Sequence, residues 1–187
     1  MRGGLDGRHV LMVVAPSGFR DEELFEPRAV FEDAGAVVEV ASTTAGTARG
    51  MLGGAVEPDL TLEAVDPHRY AAIVLVGGTG APAHLWENGR LHAILRLAHA
   101  NGTTLAAICL APVALARAGL LRGVRATVFG DARAKHELVR GGALYVDDDI
   151  IVDHGFVTAS GPHAARAVAD AVVRAVLAHG TARQEAR

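Results

Sequence analysis

Short runs of mostly apolar residues recur along the chain, and segments long enough to form helices separate them. The clearest runs cover residues 9–15, 37–41, 71–76 and 103–108. Apolar residues at consecutive positions predict strands that are buried on both faces, as in a parallel sheet. Between the first two runs, acidic residues at 21–23 predict the start of a helix, and Gly35 predicts its end. Strand, helix and strand at this spacing predict a βαβ unit.

The rest of the chain continues the alternation with shorter elements. Residues 88–100 have helical periodicity, and a further helix follows Cys109 and ends at Gly119. Residues 42–70 predict a loop or a weak hairpin, with a short helix at 60–65. The later predictions are strands at 125–129, 143–146, 150–153 and 156–159, helices at 131–139 and 163–178, and a frayed tail at 181–187.

Together these elements predict an α/β fold. We expect a three-layer sandwich with a mostly parallel, flavodoxin-like central sheet, helices on both faces and some antiparallel strands late in the chain. The 187 residues are enough for one sizeable core, and no repeat or linker divides them. We therefore expect a single domain over residues 1–187, with its core at about 8–178.

Composition excludes several classes of function. Half of the residues are hydrophobic, 21% are charged and the formal net charge is −3, so nucleic acid is not expected as a partner. The single cysteine cannot form an internal disulfide. No apolar run is long enough to span a membrane, and the N-terminal residues lack the apolar core of a signal peptide. We therefore expect a cytoplasmic protein without a membrane partner.

The strongest local signal surrounds Cys109. The run at 103–108 ends directly before it, and a helix begins within about two residues. Cys109 should therefore lie on a sharp turn at the carboxyl end of a central strand, where open α/β sheets bind ligands. A helix N-terminus favours the thiolate, which predicts a lowered pKa and a nucleophilic or oxidation-prone sulfur. The alternative is a buried structural thiol, the common state of a free cysteine.

Two further segments offer partners for this thiol. The run at 71–76 ends in Gly77 and Gly78, whose backbone N–H groups could bind an oxyanion, or which simply form a turn. The segment FRDEEL at 19–24 places carboxyl groups after the first strand. One of them could reach the cysteine, or all of them could form the solvated start of a helix.

Three segments, GFRDEELFEP, VLVGGTGAP and AAICLAPVALARAGLL, resemble the ThiJ/PfpI superfamily in their order and spacing. That superfamily includes the parkinsonism-associated protein deglycase, PfpI-type intracellular peptidases and glutathione-independent glyoxalases, on a class I glutamine amidotransferase-like fold. The resemblance covers about residues 8–178. It implies that Glu23, four residues before Pro27, is a usually protonated carboxyl that donates a hydrogen bond to the Cys109 sulfur. It also implies an oxyanion site at Gly78 and the backbone of Leu110, and a homodimer with the cleft near its interface.

The sequence departs from the superfamily pattern where histidines are usual. Leu110 stands where peptidase-like members carry the histidine after the cysteine, and Phe129 stands where deglycase-like members carry one about twenty residues later. A Cys-His-acid peptidase triad is therefore not expected. His163, after a Gly-Pro that lies near the pocket in the superfamily, is the first histidine candidate, and His136 is a weaker one. The alternative for both is a capping or surface histidine.

Gly77, Phe129 and His163 are predicted to line the pocket, together with Trp86 and Leu110. No cluster has metal-ligand spacing, so neither a metal nor another cofactor is expected. The leading hypothesis is attack of the Cys109 thiolate on a small reactive carbonyl such as methylglyoxal, with Glu23 as acid and base and a hydroxy acid as product. The alternatives are a hydratase or lyase acting on another small electrophile, such as an isocyanide, and a non-catalytic sensor that works by Cys109 oxidation.

Overall fold

The computed structural model describes residues 4–185, and from residue 180 onward only the backbone. The strands are β1 (His9–Val14), β2 (Ser17–Phe19), β3 (Val37–Ser42), β4 (Ala48–Gly50), β5 (Ala55–Val56), β6 (Leu60–Thr61), β7 (Tyr70–Leu75), β8 (Thr104–Ile108), β9 (Arg125–Ala126), β10 (Leu144–Tyr145), β11 (Ile150–Asp153) and β12 (Phe156–Ala159). The helices are α1 (Asp21–Asp33), α2 (Ala81–His84), α3 (Gly89–Ala100), α4 (Pro112–Arg117), α5 (Ala132–Arg140) and α6 (Ala165–Glu185), with 3₁₀ turns at Leu62–Ala64, Pro67–Arg69 and Pro162–Ala164.

The middle layer is a 7-stranded sheet in the order β11-β12-β8-β7-β1-β3-β6. Its neighbouring strands are parallel, except that β11 and β12 are antiparallel. The chain adds β3 on one side of β1 and later adds β7 on the other side. This reversal opens a crevice at the carboxyl ends of β1 and β7, the place where sheets of this type bind ligands.

Consecutive residues of β1 enter different layers of the core. Leu11 and Val13 belong to the apolar cluster that includes buried residues of α3, α4 and α5. Val10, Met12 and Val14 belong to the cluster formed with α1 and α6. Because helices cover both faces of the sheet, both sets of side chains must be apolar, which explains the unbroken run in the sequence.

The structure confirms the three-layer α/β fold with its mostly parallel, flavodoxin-like sheet. The helix expected at 60–65 is wrong, because Leu60 and Thr61 pair with β3 and only the next residues form a 3₁₀ turn. The strand expected at 125–129 ends at Ala126. The following N–H groups do not continue the strand pairing. The N–H of Thr127 donates to the hydroxyl of Thr158, and the N–H of Phe129 donates to the carbonyl of Cys109.

The carboxyl-terminal helix is longer than the sequence pattern indicates. A frayed tail was expected at 181–187, but α6 continues to Glu185, and the last two residues lie outside the described part of the chain. Alanine, arginine, glutamine and glutamate in this stretch are good helix formers, which explains the extension. Within residues 4–185, no helix is both long and apolar enough to cross a membrane.

Candidate active site

Cys109 occupies a sharp turn between β8 and α4. Its φ is 59°, in the left-handed region that side chains other than glycine rarely adopt. The turn is closed by the N–H of Ala111, which donates to the carbonyl of Ile108 over 3.0 Å, and α4 begins at Pro112. A strained backbone of this kind persists only where the surrounding contacts hold it, and such places are often reactive sites.

Two neighbouring segments hold the backbone of Cys109 in this conformation. Its N–H donates to the carbonyl of Ala159, and its carbonyl accepts from the N–H of Phe129, each over 2.9 Å. In a trans peptide the N–H points away from the carbonyl, so the N–H of Leu110 points away from Phe129. The N–H groups of Leu110 and Gly78 lie near the sulfur and lower the pKa of Cys109, because they favour the thiolate.

Glu23 lies in the first turn of α1 and is fully buried. Its Oε2 accepts a hydrogen bond of 2.7 Å from the N–H of Gly77. Its Oε1 has no partner of ordinary hydrogen-bond geometry among the described residues. The carboxyl nevertheless changes the pKa of Cys109, and Cys109 changes that of Glu23. The two groups therefore interact through a contact looser than a well-formed hydrogen bond.

Gly77 lies between these two side chains. A Cβ at this position would lie 2.7 Å from the Cβ of Cys109 and 2.7 Å from Oε2 of Glu23. The two atoms are therefore no more than twice that distance apart. Gly78 has a φ of 103°, and a Cβ there would lie 2.5 Å from the nitrogen of Arg20. Glycine is required at both positions because a Cβ would overlap Cys109 and Glu23 at the first and the backbone nitrogen of Arg20 at the second.

Burial dominates the protonation of the pair. It raises the pKa of Glu23 to about 7, against the opposing effects of the Gly77 N–H and the Cys109 thiol. Burial also raises the pKa of Cys109 to about 12, and the charge of Glu23 adds to that rise, whereas the N–H groups of Gly78 and Leu110 lower it. The lowered thiol pKa expected from the helix N-terminus is therefore wrong. Helix α4 begins beside the sulfur, but the loss of hydration outweighs its field.

The pair still has a reactive protonation state. Once one proton has left, the remaining proton can lie on the thiol, beside a carboxylate, or on Glu23, beside a thiolate. The Gly77 N–H favours the first arrangement, and the N–H groups of Gly78 and Leu110 favour the second. The thiolate form is the minor one, and it is the form that can attack an electrophile.

The two acidic residues before Glu23 have different partners, which the sequence did not distinguish. Arg20 donates from Nε and a terminal nitrogen to Glu22 over 2.8 and 3.0 Å, and its positive charge lowers the pKa of Glu23. Asp21 accepts from the N–H groups of Leu52 and Gly54 over 2.8 and 2.6 Å. Asp21 thus ties the turn between β4 and β5 to the start of α1.

Trp86 was expected to line the pocket, but it lies behind the elbow. Its side chain is 2% exposed, and its indole N–H donates to the carbonyl of Leu110 over 2.7 Å. The guanidinium of Arg133 covers the ring, with its central carbon 4.9 Å from the ring centroid. The sequence signal for such a role is general: a buried indole needs an acceptor for its N–H.

The remaining pocket candidates lie at the rim. Phe129 is held beside the elbow by its bond to Cys109, and its ring is 45% exposed. The ring of His163 lies beside Gly161, and its Nε2 forms a hydrogen bond of 2.8 Å with Oδ1 of Asp149. His136 lies exposed on α5. Among the described side chains, no group of His, Cys, Asp and Glu could hold a metal ion.

Known proteins are similar to this chain over most of its length. The profile of the DJ-1/PfpI family matches residues 8–175. An uncharacterised protein of Methanocaldococcus jannaschii is 45% identical over 175 residues, which are 94% of this chain and 85% of that protein. A deglycase of Pyrococcus horikoshii is 32% identical over 152 residues, covering 81% of this chain and 90% of the deglycase. The crystal structure of a ThiJ/PfpI domain protein from Brachyspira murdochii has a TM-score of 0.86 at 33% identity and covers 91% of this chain and 97% of that one.

Proposed function

The chain belongs to the DJ-1/PfpI family, and from this we propose that it is a cofactor-independent enzyme that acts on small reactive carbonyls through Cys109 and Glu23. One observation carries the proposal. A thiol and a fully buried carboxyl whose pKa is about 7 lie on either side of Gly77, next to two N–H groups directed at the sulfur. A carboxyl of this pKa can both give and take a proton at neutral pH.

The first step is addition of the sulfur to an aldehyde such as that of methylglyoxal. The sulfur lone pair forms the C–S bond, and the carbonyl π pair moves to oxygen. The N–H groups of Gly78 and Leu110 stabilise the developing charge, and Glu23 delivers a proton to the oxygen. Because the Gly77 N–H occupies Oε2 of Glu23, this proton comes from Oε1. The product is a hemithioacetal.

The second step moves a proton between the two carbons. The Glu23 carboxylate removes the proton from the former aldehyde carbon and passes it to the ketone oxygen, which gives an enediol. Glu23 then takes the hydroxyl proton from the sulfur-bearing carbon, whose oxygen becomes the thioester carbonyl, and delivers that proton to the former ketone carbon. The hemithioacetal thereby becomes a lactate thioester, so one carbon is oxidised while its neighbour is reduced and no redox cofactor is needed. Water then cleaves the thioester, which releases lactate and restores the thiol.

The burial of the sulfur supports a small substrate. Cys109 is only 6% exposed, so a polypeptide backbone would have to displace its surroundings before reaching it. Amide hydrolysis would also need an acid for the leaving amine, and Leu110 and Phe129 stand where imidazoles would be expected. A peptidase activity is therefore disfavoured. The relative named a deglycase is consistent with carbonyl chemistry, because glycation adducts form from reactive carbonyls.

The test measures lactate formed from methylglyoxal by the purified full chain. We expect turnover in the wild type and its loss in Cys109→Ser and Glu23→Gln. Glu26→Gln, on an exposed position of the same helix, is the matched control and should keep full turnover. Turnover that survives Cys109→Ser would reject catalysis that depends on the Cys109 thiol. Turnover of an isocyanide or another electrophile, with none of methylglyoxal, would assign the same residues to a hydratase or lyase.

An oxidation sensor is the second candidate. The N–H groups of Gly78 and Leu110 that favour a thiolate would also hold a sulfinate oxygen, and a protonated Glu23 could donate to it. Peroxide treatment followed by mass spectrometry of Cys109 tests this reading. Selective oxidation in a protein without carbonyl turnover would favour the sensor over the enzyme.

We also propose a homodimer formed through an apolar patch beside the site. Phe25, Met51 and Leu52 are all exposed. They lie together because Asp21 fixes the Leu52–Gly54 turn against the start of α1. Leu52→Asp should lower the mass measured by analytical ultracentrifugation to that of the monomer. A wild type that is already monomeric would reject the dimer.

A further inference from the structure

The indole N–H of Trp86 donates to the carbonyl of Leu110, which lacks the hydrogen bond that a regular α-helix would give it. In an α-helix the carbonyl of Leu110 would accept from the N–H of Ala114. That N–H instead donates to the carbonyl of Ala111 over 2.9 Å, which leaves the Leu110 carbonyl to the 2.7 Å bond from Trp86. The bond is short, and its donor is almost completely buried, where an unpaired indole N–H would be costly.

This bond completes the fixation of the two peptide planes that flank Leu110. The plane before it is held at the Cys109 carbonyl by Phe129. The plane after it is held at the Ala111 N–H by Ile108 and at the Leu110 carbonyl by Trp86. The N–H of Leu110 belongs to the first plane, and the torsions of Leu110 join that plane to the second. If the Leu110 carbonyl were not held, the second plane could rotate, and the Leu110 N–H in the first plane would be less firmly oriented toward the sulfur.

We propose that Trp86 is a positioning residue that keeps the Leu110 N–H directed at the Cys109 sulfur and at the oxyanion formed there. Its effect on turnover rests on the proposed function, but its effect on the thiol does not. Arg133 assists, because a cation over the face of an indole draws electron density from the ring and strengthens its N–H as a donor. Arg133 therefore acts on the indole of Trp86, and Trp86 in turn positions the backbone of Leu110.

The test uses the fact that Trp86 is the only tryptophan. The whole protein can be made with benzothienylalanine, in which sulfur replaces the indole N–H and the ring shape is kept. We expect the rate of Cys109 alkylation by iodoacetamide at pH 8 to fall roughly five- to tenfold, with the pH profile displaced to higher pH. The kcat for methylglyoxal should fall roughly tenfold, while KM changes little.

Two variants separate positioning from general stability. Trp86→Phe also lacks the N–H and should reproduce the displaced alkylation profile. Leu95→Ala removes a fully buried side chain from the same core cluster but touches none of the elbow's hydrogen bonds. It should lower the melting temperature without moving the profile. The role of Trp86 is overturned if the benzothienylalanine protein is folded and alkylates with the wild-type profile. A displaced profile in a protein without carbonyl turnover would instead reject the proposed function and keep the role of Trp86.

Discussion

The N–H of Gly77 donates to Oε2 of Glu23 over 2.7 Å, and this bond joins the turn after β7 to the first turn of α1. In a neutral carboxyl the carbonyl oxygen is a stronger acceptor than the hydroxyl oxygen, so the N–H at Oε2 favours a proton on Oε1. Burial raises the pKa of this carboxyl to about 7, and the Gly77 N–H opposes that rise. The Gly77 N–H therefore affects both the orientation and the acidity of Glu23.

The raised pKa of Glu23 predicts a pH-dependent stability. In the unfolded chain the carboxyl loses its proton near pH 4.5, and in the folded chain near pH 7. Between these values the folded state holds more protons, so stability falls as pH rises. Full ionisation costs about 3 kcal/mol. Glu23→Gln should unfold at a higher urea concentration than the wild type at pH 8 and at about the same concentration at pH 4. Equal midpoints at both pH values would contradict the raised pKa.

The same substitution predicts the behaviour of the thiol. The charge of Glu23 raises the pKa of Cys109, so its removal should lower that pKa. At pH 9 to 10, where Glu23 is ionised, Glu23→Gln should therefore be alkylated at Cys109 several-fold faster than the wild type, although carbonyl turnover is lost. The measurement is mass-resolved alkylation by iodoacetamide. Slower alkylation of the variant would instead mean that a neutral Glu23 stabilises the thiolate more than its charge opposes it.

Gly77→Ala should damage the site directly. The added Cβ would meet the Ile108 carbonyl at 2.4 Å as well as Cys109 and Glu23, and all three lie in fully or almost fully buried surroundings. We expect carbonyl turnover to be abolished and the free energy of unfolding to fall by about 1–3 kcal/mol. Gly89→Ala is the matched control, because a Cβ there meets nothing within 4 Å. A Gly77→Ala protein with wild-type turnover would show that the two side chains are not packed against this glycine.

Asp21→Ala should release the turn between β4 and β5. Its carboxylate accepts from two backbone N–H groups, and charge-assisted bonds of this kind each contribute about 1.5–3 kcal/mol. Amide hydrogen exchange at Leu52 and Gly54 should accelerate at least tenfold. Asp33→Ala, at the exposed end of the same helix, should leave both rates unchanged. Unchanged exchange in the Asp21 variant would mean that the turn is held by other contacts.

The sequence was sufficient for the parts of the molecule that depend on local pattern. The apolar run before Cys109 and the helix after it predicted the elbow, because a strand and a helix so close together leave room only for a sharp turn. The pKa of the thiol was not predictable in this way. Its direction depends on how much water surrounds the sulfur, and that is decided by segments far away in the chain, such as the one that carries Ala159.

The supporting contacts were also beyond sequence reasoning. Adjacent residues in FRDEEL look equivalent as acidic residues at the start of a helix, but Asp21 and Glu23 lie on different sides of its first turn and meet different segments. The bond from Trp86 to Leu110 likewise joins two separate crossovers of the sheet. Such pairings follow from topology, and no periodicity within either segment indicates them.

The bond between the Cys109 N–H and the Ala159 carbonyl has a consequence for the newly made chain. A ribosome completes the elbow sequence well before it adds β12, so the cysteine of the nascent polypeptide still lacks the native acceptor of its N–H, the Ala159 carbonyl. The elbow reaches its native conformation only when β12 lies beside β8, so the weakly acidic, buried thiol of the folded site depends on a strand made later in the chain.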